Sequence, residues 1–533
     1  MAIELTMLAW AMLLGFVYIF AASTVVTRER GMKWNASARD DSSKPLSPLA
    51  GRLQRAQSNF FETFPFFAAA AIAVVVAGRG SDTTALAAQV YFWARVVYLP
   101  LYAAGIPYVR SLVWLVSIVA ILALVHAALC WPRLDQRQEA RMRRMDVVVV
   151  GAGPAGLCFA RALAATGLQV GLVEAQPRQA LAEAAFDGRE IALTHASRQS
   201  LERLGLWQRL PETEVAELRD ARVMNGGSPF ALTFASSQVD GQPLGWLVPN
   251  HLIRRAAWQT VQGQDGLELF DGRKVQAVRA DSQGHVVRLD DGSELHARLL
   301  VCADSRFSGT RRMLGIGAQM RDFGKSMLVC RMQVERDHHH TAWEWFGYGR
   351  TMALLPLNEG QASAVITLPP RQIEELLAMD EIAFGDAISG FFEHRLGRMQ
   401  PVATPQAYPL VGVYAHRFVG ERSALIGDAA VGMHPVTAHG FNLGLASAQR
   451  LAQGIAEQQR RGADIAAAGV LGSYQRGHRL AARPLYEATN AIASLYTDDR
   501  RPARLLRAAG LRVAQGVAPF RQLIAAHLTQ RVA

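Results

Sequence analysis

The sequence predicts an all-α four-helix bundle fit to cross a bilayer, followed by an α/β domain of the Rossmann type with a β-sheet interleaved in it. Three observations predict it. Apolar runs of membrane-spanning length crowd the first 130 residues. A Gly-rich turn, Gly151-Ala152-Gly153-Pro154-Ala155-Gly156, stands between an apolar run and a helical pattern. Two further signatures, Cys302-Ala303-Asp304 and Gly427-Asp428-Ala429-Ala430, each follow an apolar run of their own. At 533 residues the chain is too long for one compact core.

Half of the residues are hydrophobic, and the excess lies before residue 130. Net charge is +11, with arginine runs at 133–144 and 500–521. Such a balance suits an anionic membrane surface or nucleic acid. No nucleic-acid motif accompanies it, so the membrane is the favoured partner, with ordinary solvated arginines as the plain alternative. The four cysteines, Cys130, Cys158, Cys302 and Cys330, form neither a CxxC pair nor a metal spacing. They read as reduced, buried thiols of a cytoplasmic setting.

Residues 1–132 form the predicted membrane domain. Its apolar segments, 3–26, 60–78, 84–104 and 108–129, each approach the roughly 20 residues that cross a bilayer as a helix. A soluble helical bundle is the alternative. Met1–Thr6 carries Glu4 and neither Lys nor Arg, unlike a secretory signal. Residues 28–59 read as a polar connector with Pro45 and Pro48. Arg52, Arg55, Asn59 and Glu62 share one helical face, as do Tyr91, Arg95, Tyr98 and Tyr102. An arginine within a span needs a partner, and Glu62 is the expected partner of Arg95. With four spans both termini lie on one side. A cytoplasmic second domain then leaves seven Lys/Arg of the connector outside, against the positive-inside tendency.

The stretch Arg52-Leu-Gln-Arg55-Ala-Gln-Ser-Asn59-Phe-Phe-Glu62-Thr-Phe-Pro65 resembles the signature of the MAPEG family, the membrane-associated proteins of eicosanoid and glutathione metabolism. Ala94-Arg95-Val-Val-Tyr98-Leu-Pro-Leu-Tyr102 resembles that family's third-helix motif. The resemblance implies a homotrimer and a glutathione site between subunits, lined by Arg55, Asn59, Glu62, Tyr98 and Tyr102. A membrane segment that serves only as an oligomerising scaffold is the rival reading.

After a basic linker, 133–144, the module at 145–499 begins as strand, turn, helix, strand. Gly151 permits the tight turn, Gly153 admits a pyrophosphate, and Gly156 lets the helix pack on the strand. Pro154 and Ala155 open the helix whose positive end would face the phosphates. The second strand, Gln169–Val173, ends at Glu174, placed to accept from a ribose hydroxyl. The downstream stations select FAD among dinucleotides. Asp428 after Gly427 can bind ribityl hydroxyls, and the helix that follows can stabilise negative charge on a reduced isoalloxazine. Asp304, at a strand-to-loop turn, is a cofactor-facing carboxylate or a common turn aspartate.

These residues, with Phe186-Asp-Gly-Arg189-Glu-Ile-Ala-Leu-Thr-His195-Ala-Ser197 and Val248-Pro-Asn250-His-Leu-Ile-Arg254, resemble the flavoprotein hydroxylases of the p-hydroxybenzoate hydroxylase class. Within it they are most similar to the ubiquinone-biosynthesis hydroxylases of the UbiH/UbiF/Coq6 group, UbiM branch. The resemblance implies that Arg189 contacts FAD, that Pro435 lies near the flavin edge, and that Gly440, Phe441 and Asn442 touch the pyrimidine ring. The implied activity is hydroxylation of a polyprenylated phenol or quinol with O2 through a flavin C4a-hydroperoxide. NAD(P)H or a protein partner is the implied reductant, since no second Gly-rich βαβ unit is present. Other quinone-biosynthesis proteins are expected partners. Two departures stand out: Asp304-Ser305 replaces Asp-Gly, and Ala438-His439-Gly440 replaces Gly-Gln-Gly.

The chemistry calls for a base near neutral pKa, and histidine is the default. His439 and His434 are weak candidates, His195 and His251 weaker, and the catalytic residue stays unknown. His338-His339-His340 reads as a solvated turn, so no metal is assigned. Alternating stretches at 215–250 and 325–410 predict a sheet over the flavin's working face. The tail, 500–533, reads as a basic helix on the membrane interface or, alternatively, one packed on the flavin domain. The expected location is multi-pass in a bacterial inner membrane with a cytoplasmic FAD domain. A flavin-dependent prenyl reductase, and a glutathione transferase with an appended flavin module, are the rival activities.

Overall fold

The structure is a computed structural model of the chain; it describes residues 2–38, 45–77, 79–130, 143–228, 230–238, 241–497, 500, 502, 504, 507 and 509–512. Two compact units, Met1–Arg141 and Met142–Ala533, divide it.

The first unit is built on the helices Ile3–Arg30, Pro48–Val76, Asp82–Ala104 and Val109–Cys130. Three of them, all but Asp82–Ala104, are long and apolar enough to cross a membrane. The third of the expected spans is thus a helix, but one enriched in polar groups. The expected connector 28–59 is corrected as well. Ser47 caps the Ala50 amide and Pro48 takes the first helical position, so residues 48–59 are helical and carry Arg52 and Arg55 with them. Ser81 and Thr84 form a reciprocal cap at the next helix, which ends at left-handed Gly105. Ala11, Ala70, Ala71, Ala88, Phe67, Tyr91 and Leu124 fill the interior. Trp10, Phe16, Phe20, Phe66, Leu112 and Leu122 point outward, an apolar surface suited to hydrocarbon.

Arg95 is fully buried, but its partner is not Glu62. It donates to Asn59 Oδ1 at 2.9 Å and to Thr63 Oγ1 at 2.8 Å, while Glu62 is exposed. The rings of Tyr91 and Tyr98 lie 5.6 and 5.2 Å from the guanidinium carbon, and Tyr18 donates to the Arg95 carbonyl. A buried Glu4 accepts from Thr84 Oγ1 at 2.5 Å, a contact the sequence reading missed.

The second unit holds an eight-stranded sheet, a nine-stranded sheet and a three-stranded sheet. In the first, Arg143–Val150 lies between Glu294–Cys302 and Val170–Glu174, all parallel, with Leu267–Asp271 and Ser423–Leu425 outside them. Near-continuous Val and Leu runs suit strands buried on both faces. The nine-stranded sheet is mostly antiparallel and runs from Val431–Gly432 through Gln406–Ala415, Ala318–Val334, Gln361–Leu368, Thr351–Pro356 and Thr341–Phe346 to Asp220–Asn225 and Ala231–Ala235. Its helix-covered face buries Leu328, Met332, Trp345, Leu354 and Ile366 against Ile373, Phe384 and Ile388. The small sheet, Glu190–Leu193, Gly245–Pro249 and Ala216–Leu218, faces the other side. Strands within 215–250 therefore divide between two sheets.

In the tail, Leu511 packs with Leu232, Phe234 and Leu244, and Arg504 stacks 3.7 Å over Tyr348. Its described residues follow the domain-packing alternative; residues 513–533 lie outside the described residues. Cys130's side chain does too, while Cys158, Cys302 and Cys330 are buried free thiols.

Candidate functional site: a dinucleotide cradle beneath a second sheet

The three signatures converge. Gly151 has φ +105°, and a β-carbon there would fall 2.5 Å from the Ala303 carbonyl oxygen. A β-carbon on Gly156 would fall 2.0 Å from Gly151 O, so only glycine lets this helix sit on its turn. On Gly427, at φ +57°, it would meet Ala155 Cβ at 2.9 Å. A β-carbon on Gly153 would instead enter open space at the mouth of Pro154–Ala162, as would one on Gly440 at the mouth of Gly440–Arg460. Two helix N-termini without side-chain caps thus lie beside the contact of Gly427 with Ala155 and Gly444. The residues present fit a dinucleotide.

Glu174 ends its strand as expected, with Oε2 accepting from the Ala152 amide at 2.7 Å and Oε1 from Gln176 at 2.9 Å. Asp304 accepts from Ser308 Oγ and the Thr310 amide, so its carboxylate also shapes its own loop. Ser305 does not adopt a positive φ. Asp428 pairs with Arg306 at 3.1 Å, and buried Arg311 donates to the Ala429 carbonyl at 2.9 Å. Neither arginine was singled out from sequence. Each bridges more than 100 residues, a contact that no local pattern announces.

Arg189 pairs with Asp187 at 2.6 Å and stands over the Tyr408 ring. Asn250 donates to the same carboxylate, and Tyr408 OH to the Asp187 carbonyl. Burial raises the affinity of Asp187 for a proton, but Arg189 and Asn250 outweigh it and hold the carboxyl below its usual range. Next along the chain, Glu190 is wholly buried and bonds Arg331 at 2.8 Å; Arg331 also reaches Glu214 at 2.9 Å. Burial pushes the Glu190 carboxyl up against the pull of Arg331.

Pro435 is exposed at the start of a short 3-10 turn, and Ala438 follows at φ +53°, a left-handed position filled without glycine. Phe441 is half-buried. Asn442 is buried and committed: Nδ2 donates to Ala192 O at 2.8 Å and Ala438 O at 3.1 Å, and Oδ1 accepts from Thr194 N. Its side chain ties the small sheet to the helix mouth, which leaves backbone groups of 440–442 for a ligand.

His434 accepts from the Val436 amide and meets Phe323 edge-on. Burial, with Lys325 and Arg321 nearby, drives its imidazole down to about 4. His439 is buried with Nδ1 against the Thr437 carbonyl. His195 bonds the Pro243 carbonyl, and His251 packs on Phe186. His338 is buried on the Gln361 carbonyl rather than solvated, while His339 is exposed. Among the described residues no three His, Cys, Asp or Glu side chains form a metal-binding group.

Residues 144–489 match the FAD binding domain family, and residues 7–130 match the MAPEG family. The ubiquinone hydroxylase UbiM of Neisseria meningitidis is 47% identical over 388 residues, 72% of this chain and 84% of that one. Ubiquinone hydroxylase UbiL of Rhodospirillum rubrum is 34% identical over 382 residues, 72% of this chain and 89% of its own. Among solved structures, p-nitrophenol 4-monooxygenase PnpA from Pseudomonas putida superposes with a TM-score of 0.60 at 17% identity, covering 73% of this chain and all 100% of that one. PqsL of Pseudomonas aeruginosa in complex with 2-aminobenzoylacetate gives 0.56 at 24% identity, over 68% and 100%. At such identities the likeness is one of fold.

Proposed function

This chain belongs to the FAD binding domain family, and on that premise we propose that it is a membrane-associated, FAD-dependent hydroxylase acting on the aromatic ring of a polyprenylated phenol or quinol in ubiquinone biosynthesis. The observation that carries the reading is the cradle: two helix mouths, two glycines facing open space, and a Gly427–Ala155 contact that joins them. Bound FAD supplies oxygen activation once reduced. The chain's residues do the rest. The amides of Gly153, Ala155 and Gly156 hold the diphosphate, Glu174 the ribose, and Asp304 and Asp428 the hydroxylated linker. Arg189, oriented by Asp187, lies along the cofactor. Amides at Gly440–Asn442 face the ring edge, and Pro435 lines the route toward it. The nine-stranded sheet lies over this space and excludes water from it.

The reductant is NAD(P)H bound in passing, or a partner protein. The apolar helices keep the chain at the bilayer, where a prenylated substrate resides. A multi-pass arrangement with the FAD unit in the cytoplasm, in a bacterial inner membrane, and a homotrimer built through the helical unit complete the reading. One observation favours a second ligand. A polar cavity of about 510 Å³ in the first unit is lined by Arg30, Ser47, Gln54, Arg55 and Ser58, and its two arginines suit the carboxylates of glutathione. Calorimetric titration with glutathione tests that assignment.

The main reading is tested by deleting the gene and analysing quinones, alongside the absorption spectrum of purified protein. A yellow protein and accumulation of an under-hydroxylated prenylated phenol are expected. Unchanged quinones would refute it.

A further inference from the structure

The face of the nine-stranded sheet that lies toward the cradle can be read row by row from its register. One row runs Gln406, Val329, Val365, Ala353, Glu344, Val223, Leu232. One row away stand Tyr408, Met327, Thr367, Thr351, Phe346 and Asn225. Several contacts fix this face against the nucleotide side. A β-carbon on Gly188 would fall 3.0 Å from Val329, Tyr408 bonds Asp187, Arg331 bonds Glu190, and Leu355 packs with Ala192, Ala216 and Leu247. Between these contacts Glu344, Ala353 and Val365 remain half-buried, while Val223, next to Glu344, packs beside Leu232 and Leu511 of the tail.

Glu344 is the one ionisable residue of its row. Its register neighbours are Ala353 and Val223, and no hydrogen bond or ion pair reaches it among the described residues. Of the charged groups on the same side of its strand, Arg331, three strands from Glu344, is engaged by Glu190 and Glu214, and Lys325 lies beside His434. Arg504 and Arg507 of the tail stand over Tyr348, past the end of Glu344's strand. The facing small sheet presents Ala192, Ala216 and Leu247. A carboxyl without a partner in an apolar lining is costly unless a ligand completes it.

We propose that Glu344 receives the ring hydroxyl of the aromatic substrate and takes its proton. The assignment rests on the hydroxylase reading. The phenol O–H bond breaks, the proton passes to a carboxylate oxygen of Glu344, and the electron pair stays on the ring oxygen. That pair enriches the ortho and para carbons, where an electrophilic oxygen attacks. Burial alone pushes the Glu344 carboxyl up to about 8, within reach of a phenol's own range. Proton transfer therefore grows as pH rises through that value and the carboxyl ionises.

The test uses the FAD-loaded full chain in detergent and reads the flavin absorbance change on adding 2-geranylphenol or its methyl ether. The wild type is expected to bind the phenol about tenfold tighter than the ether, with the preference rising through pH 8. Glu344→Gln is expected to abolish both preference and pH dependence and to lower kcat/KM about 100-fold, with FAD content unchanged. Glu344→Leu, which removes the buried carboxyl, is expected to fold at least as well and to behave alike. A wild type that does not distinguish phenol from ether, or an E344Q variant that keeps the preference and the pH profile, overturns the assignment. A preference lost in E344Q without any hydroxylated product from the wild type keeps Glu344 as the phenol site and refutes the hydroxylase reading instead.

Discussion

Gly427 lies so close to Ala155 that a β-carbon on the glycine would stand 2.9 Å from the alanine's own. Signatures more than 270 residues apart in sequence thus share a van der Waals surface, and Gly444 backs Gly427 from the other side, its would-be β-carbon 3.3 Å from the Gly427 Cα. Gly427→Ala is expected to destabilise the FAD unit by about 1–3 kcal/mol through this contact and its positive φ. Gly153→Val is the contrast: the β-carbon meets nothing, so the fold survives while FAD affinity falls at least tenfold. Flavin fluorescence on titration, with melting curves of the apoprotein, separates the two.

Asn442 spends its side chain on Ala192, Thr194 and Ala438. Asn442→Ala leaves buried backbone groups unpaired and is expected to cost about 1–3 kcal/mol, with weakened FAD retention. Asn442→Asp keeps the acceptor toward Thr194 but sets a carboxylate against two carbonyls, and is expected to be the worse of the two. Denaturant melts of the FAD-loaded protein give the order.

Removing Arg331 leaves Glu190 buried without its cation. Arg331→Met is expected to lower stability by roughly 3–5 kcal/mol, and adding Glu190→Gln should restore a good part of it. A double-mutant cycle on the denaturation midpoint measures the coupling; independent, additive losses would contradict the pairing.

Two histidines, half-buried His434 and buried His478, give stability a pH window. Burial, helped by Lys325 and Arg321, lowers His434 from 6.5 to about 4; burial, helped by Arg450, lowers His478 to about 3. In that window the unfolded chain binds more protons than the fold. Their contribution is complete above about 6.5 and is lost as pH falls toward 4 and then 3. Flavin-release temperature should therefore drop on acidification across that range. His478→Gln should flatten the slope.

In the helical unit, Arg95→Gln should lower the detergent melting temperature by several degrees, because Asn59 and Thr63 lose their donor. Glu62→Gln should leave it within about a degree. The reverse order would restore the ion pair that residue spacing suggested.

How much of this was legible depended on how local the cause is. The Gly-rich turn was readable because each glycine answers a requirement set within a few residues. The helical face carrying Asn59 and Glu62 was readable too. Which of its members meets Arg95 was not, because a small helix rotation exchanges Glu62 for Thr63. Pro48 was placed inside the connector, although Ser47 before it marks a helix start. Arg306, Arg311 and Arg331 resemble any surface arginine until the chain brings their carboxylates and carbonyls from afar. Glu344 was hidden for a similar reason: alternation in Thr341–Phe346 puts it on a face, and only the register of four neighbouring strands shows that face to be the lining.

Glu190, held by Arg331 of the far sheet, is the immediate neighbour of Arg189. The Arg331 strand and the Arg189–Asp187 pair are therefore joined through a single peptide unit. A displacement of the strand that carries Arg331 would be handed, across one peptide bond, to the Arg189–Asp187 pair without any domain having to swing.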